Sequence, residues 1–138
     1  MLSCLTVSAS YGNIAIVEQH RKGAIRVCTQ NEALQILQEV NDCCSAIIPI
    51  DEAYLYGSYA RGDYRPYSDV DIMIVSPLSA DALHGFRWDF ARISSNVSID
   101  HDVTVSLTVR SKEQFKPQSI PYHSNVVREG IRYTGGHV

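Results

Sequence analysis

No apolar run in this sequence approaches the roughly 18 to 20 residues that a bilayer-spanning helix requires. The opening residues MLSCLTVSAS also lack the basic cluster of a secretory leader. Cysteine is sparse: Cys4, Cys28, Cys43 and Cys44 form no C-x-x-C pair, which argues against structural zinc. Their apolar neighbours suit free thiols in a reducing cytoplasm. Excess positive charge is missing as well. Twelve Lys and Arg against fifteen Asp and Glu leave a net charge of −3, so no general attraction to nucleic acid or to an acidic membrane is expected. His20, His84, His123 and His137 have no mutual metal-ligand spacing. Repeats and low-complexity tracts are absent, and 138 residues suit one α/β core rather than two.

The patterning that is present predicts an ordered series of elements. Ala33, Leu34, Leu37, Val40 and Cys44 recur at helical spacing behind two candidate caps, Thr29 and Asn31, giving an amphipathic helix that ends before Pro49. EAYLYGS reads as a short buried strand entering a Gly57-Ser58 turn, and DVDIMIV as a second strand bounded by Pro77. Leu83, Phe86, Phe90 and Ile93 predict a helix between Ala80 and Ser94 with Ser79 as cap. The aromatic stripe of Phe86, Trp88 and Phe90 on that helix reads as core rather than as a base-stacking platform.

SIDHDVTVSLTV reads as a third strand, with Val103, Val105 and Leu107 alternating against Asp102, Thr104 and Ser106. After Pro121, YHSNVVREGIRY predicts a short helix closed by Gly130. Residues 1–25 are the least informative and read as an N-terminal extension, residues 26–133 as the domain, and 134–138 as a loose tail. The order helix, strand, strand, helix, strand, helix predicts an α/β fold with a small mixed sheet flanked by helices.

The chemistry concentrates in YLYGSYARGDYRPYSDVDIMIV, residues 54–75. In a strand, Asp69 and Asp71 project together while Val70 and Ile72 point into the core. Two carboxylates held side by side repel unless a cation lies between them. Mg²⁺ suits the pair, because it takes one or two protein carboxylates and completes its shell with water and substrate phosphates. Upstream, Gly57 lets backbone approach a ligand closely, and the Ser58 hydroxyl and nearby amides can hold phosphate oxygens. Arg61 and Arg65 add positive charge beside a bound triphosphate. Together these residues describe a nucleoside triphosphate site.

Gly57-Ser58, ten intervening residues and Asp69-Val70-Asp71 match the G-S-x10-D-x-D signature, so the chain resembles the DNA polymerase β-like nucleotidyltransferase superfamily. Within it, GSYARGDYRPYSDVDIMIV most closely resembles the minimal nucleotidyltransferases, and the likeness runs from about Ala33 to Tyr133. The resemblance implies the polymerase β-like fold and a third carboxylate on a later strand. Asp100 and Asp102 share a face there. Asp102 is preferred because it directly precedes the apolar alternation, as Asp71 does, and stands where the resemblance places the aspartate. Asp69, Asp71 and Asp102 would then hold two Mg²⁺ ions and direct a hydroxyl onto the α-phosphorus of ATP.

The resemblance further implies a small helical HEPN partner toxin, restrained by transfer of AMP to one of its tyrosines, with this chain as antitoxin. A chain of this length leaves no space for an acceptor domain of its own, so a protein acceptor is the economical expectation. The alternatives are a non-catalytic nucleotide-binding or steric antitoxin, and a transferase acting on a small molecule or tRNA.

Overall fold

The computed structural model describes residues 28–116 and 121–134. The expected extension over residues 1–25 and the last four residues of the expected tail lie outside them. Helix α1, Gln30–Ser45, starts at Thr29, whose side chain accepts a hydrogen bond from the Glu32 amide. That bond satisfies one of the donors a helix leaves open at its start and decides between the two candidate caps. Ala33, Ile36, Leu37, Val40, Cys43 and Cys44 are its buried stripe.

Strand β1, Glu52–Tyr56, runs into the single-turn helix α2, Ser58–Arg61, and strand β2 spans Val70–Ser76. Two helices follow where one was expected: α3, Ala80–His84, and α4, Arg87–His101. The break falls at Gly85 and Phe86, and α4 extends well beyond Ser94. Strand β3 is Val105–Ser111, helix α5 is Pro121–Glu129, and the two-residue strand β4 is Ile131–Arg132.

The four strands form one sheet in the order β3-β2-β1-β4. Strand β1 pairs antiparallel with both β2 and β4, whereas β2 pairs parallel with β3 through the α3–α4 crossover. This is the mixed sheet with flanking helices that the pattern predicts. Alternation along the strands gives the sheet two unlike faces. Ala53, Leu55, Val70, Ile72, Ile74 and Val105 join one core with α1, Leu83, Ile93 and Val97. Tyr54, Met73 and Val75 face a smaller cluster with Phe115 and Val126. Asp71 lies on this second face, at the end where the small cluster stops.

Cys28 and Cys44 are buried and outside any disulfide, and burial pushes Cys44 up to about 12. Cys43 is disulfide-bonded, which corrects the free-thiol expectation for that residue. No helix among the described residues is long and apolar enough to cross a membrane.

Candidate active site

The turn between β1 and α2 holds the first half of the site. Gly57 has φ 76° and ψ −155°, a conformation essentially reserved for glycine. A side chain there would be strained and would also collide with Oδ2 of Asp71. The Asp71 carboxylate therefore lies directly against the bare backbone of the turn. Ala60 and Arg61 both donate their amides to the Gly57 carbonyl, closing α2, and Gly62 ends it in the left-handed conformation with its amide on Ser58. Only the Ser58 and Tyr59 amides precede these two in the turn.

The turn is clamped from two sides. From α1, the Gln30 side-chain amide donates to the Tyr59 carbonyl at 2.8 Å. Inside, the buried Tyr59 ring stacks on Tyr64 at a centroid distance of 4.2 Å. Neither Gln30 nor Tyr64 carries a local signal of this role, because both contacts arise only when α1 and the loop after α2 pack together.

Strand β2 supplies the carboxylates. Asp69 is exposed just before the strand, and Asp71 is half-buried within it, level with Tyr56 on β1. Burial, and then the negative charge of Asp69, raise the Asp71 carboxyl above the ordinary range, while Arg61 works against them. Arg61 is also paired with Asp63 at 3.3 Å and with Glu129, at the end of α5, at 3.6 Å. Arg65 is exposed in the following loop, where its backbone amide donates to Ser68 Oγ at 2.8 Å. Arg61, rather than Arg65, is the cation whose charge acts on Asp71.

The strand expected through SIDHD requires a correction. Residues 98–101 belong to α4, and Asp102 caps that helix at φ 51° and ψ 46°, so the strand expected through SIDHD begins only at Val105. Ser94 and Ser98 fix this junction, their hydroxyls bonding the Val105 carbonyl and amide at 2.7 and 2.9 Å. Asp100 is buried on the same helical stripe as Ile93 and Val97. Among the described residues no group of three His, Cys, Asp or Glu side chains is gathered to hold a metal. The β3 residue level with Asp71 is Ser106.

Asp69 and Asp71 beside the Gly57 turn fit one Mg²⁺, a hard ion satisfied by one or two carboxylates together with water and phosphate oxygens. Among the described residues no third carboxylate is gathered beside them for a second Mg²⁺. Trp88, placed in the core by its spacing, is instead 68% exposed under the Arg87 guanidinium.

The nucleotidyltransferase domain family matches residues 37–133. Two proteins of Methanocaldococcus jannaschii, each named "putative protein adenylyltransferase", are similar to this chain. One is 34% identical over 82 residues, covering 59% of this chain and 75% of that protein. The other is 31% identical over 83 residues, covering 59% and 82%. Among solved structures, a toxin–antitoxin crystallised with AMP-PNP aligns at TM-score 0.49 and 23% identity, over 78% of this chain and 74% of that one. With a family match that takes in the turn, both strands of the carboxylate site and the closing helix, the chain belongs to the nucleotidyltransferase domain family.

Proposed function

We propose that this chain transfers AMP from ATP to a hydroxyl, and that the acceptor is a tyrosine of a HEPN-type helical partner toxin, with this chain as its antitoxin. The observation that carries the reading is the contact between the Gly57 turn and the Asp71 carboxylate, which brings bare turn backbone and a cation-holding group to one point. The Ser58 hydroxyl and the Ser58 and Tyr59 amides hold phosphate oxygens, and Arg61 balances their charge. Asp69 and Asp71 would hold Mg²⁺, which when bound neutralises the triphosphate and steadies the departing pyrophosphate.

The acceptor oxygen forms a bond to the α-phosphorus, the bond from that phosphorus to the β-phosphate bridging oxygen breaks, and the hydroxyl proton passes to water. The work of the chain is positioning and charge, with no covalent enzyme intermediate. A protein acceptor is supported by the names of the Methanocaldococcus relatives and by the net charge of −3, which disfavours a long nucleic-acid track.

The test is incubation with α-labelled ATP, Mg²⁺ and the co-purified partner, followed by mass spectrometry. AMP on a partner tyrosine, absent with Asp71→Asn, is the expected result. A partner tightly bound but unmodified would identify a steric antitoxin instead, and labelling only of tRNA or a small molecule would replace the acceptor.

A further inference from the structure

Paired residues of neighbouring strands project to the same face of a sheet. Tyr56 on β1, Asp71 on β2 and Ser106 on β3 are mutually level, so they form one row across the second face. All three are half-buried. Further along β3 that face continues with Thr108, level with Met73, and Arg110, level with Val75. The β3 side of the site thus offers two hydroxyls and a guanidinium, and no carboxylate.

The nearby aspartates, Asp100 and Asp102, lie before β3 and outside this row. Asp100 is drawn into the α1-facing core stripe of α4, and Asp102 turns the chain out of that helix four positions before Ser106. A first divalent ion finds its charge matched by Asp69 and Asp71. A second would have to rely on a neutral serine oxygen beside Asp71, since among the described residues no third carboxylate is gathered there.

We propose that Ser106 makes this a one-cation site: the chain binds its nucleotide with a single divalent ion, and position 106 withholds a second ion and thereby keeps transfer slow. Only the rate part rests on the transferase reading; the ion count stands without it. Ser106 is a positioning residue in this sense, acting through the cations the site retains.

The count is read by titrating Mn²⁺ into the protein saturated with a non-hydrolysable ATP analogue and following free Mn²⁺ by electron paramagnetic resonance. One bound ion per chain is expected for the natural protein and for the neutral variant Ser106→Asn, and two for Ser106→Asp. AMP transfer by Ser106→Asp should rise by about tenfold or more, the scale of roughly 1.4 kcal/mol in the barrier.

Two ions in the natural protein, or one in folded Ser106→Asp, overturn the proposal. A doubled ion count with no gain in rate overturns the claim that Ser106 slows transfer. If the aspartate variant does not fold, the counts for the natural protein and Ser106→Asn decide alone. Counts of one, one and two with no labelling of any partner would support the one-cation site and refute the transferase reading.

Discussion

Gly57 and Asp71 exclude each other's side chains: the carboxylate of Asp71 occupies the space that a Cβ on residue 57 would need. Gly57→Ala therefore carries two penalties, a backbone in a glycine-only region and a displaced carboxylate. The backbone strain alone is worth about 1–3 kcal/mol. Urea denaturation should register a loss of that order, together with weakened Mg²⁺-dependent nucleotide binding. A fully stable variant with normal nucleotide affinity would contradict the close packing of turn and carboxylate.

Asp71→Asn should abolish AMP transfer and change stability in a pH-dependent way. Burial and the charge of Asp69 raise the folded carboxyl above the unfolded value, so the fold favours the protonated acid. The stability that Asp71 contributes is complete below the unfolded value of about 3.8 and is lost as pH rises through the raised folded value. Thermal melts without divalent ion should find the two proteins alike near the acid end and the asparagine variant the more stable at neutral pH. Mg²⁺ should narrow the gap by stabilising only the natural protein. A less stable variant at neutral pH without Mg²⁺ would refute this.

His101 ties the end of α4 to α1, with Nε2 at 3.0 Å from Glu39 and Nδ1 at 3.3 Å from Glu32. The Glu39 hydrogen bond leads in raising the imidazole above its usual value, partial burial opposes it, and the charges of Glu39 and Glu32 add to the rise. Because the folded value is the higher one, the stabilisation is complete below the unfolded value of 6.5 and is lost as pH climbs through the folded value. His101→Gln should flatten this part of the stability profile and lower stability chiefly on its acid side. An unchanged profile would show that the imidazole does not clamp the two helices.

Gln30→Ala removes the side-chain donor that holds the Tyr59 carbonyl. The expected cost in stability is about 0.5–1.5 kcal/mol, the net worth of one such bond. Since the bond steadies the turn rather than the reacting atoms, KM for ATP should rise more than kcat falls. Loss confined to kcat would place Gln30 in a different role.

The half of the site carried by short-range pattern was legible in the residues. Thr29 as a cap, the apolar periods of α1, and the sequence from β1 through Gly57 to the Asp-x-Asp strand all follow from local chemistry, and the structure has them. The crossover was not legible to the same degree. Val105 and Leu107 do alternate as strand, but the residues before them, through His101, belong to a helix whose buried stripe is Ile93, Val97 and Asp100. Ser94 and Ser98, four apart and both bonded to Val105, were the available signal for the boundary. That shift moved the place beside Asp71 from Asp102 to Ser106. Cross-strand register depends on how the α3–α4 crossover packs, which no local period encodes.

The row of Tyr56, Asp71 and Ser106 also joins contacts of very different chain separation. Tyr56 meets Asp71 across an antiparallel pair linked by a short segment, whereas Ser106 reaches Asp71 only after α3 and α4 have been laid across the sheet. Closing the longer loop costs more chain entropy before any contact repays it. The Gly57 turn and its two carboxylates can thus be assembled by a nascent chain that has not yet made β3. Substitutions at position 106, arriving last in this order, should alter the unfolding rate more than the folding rate.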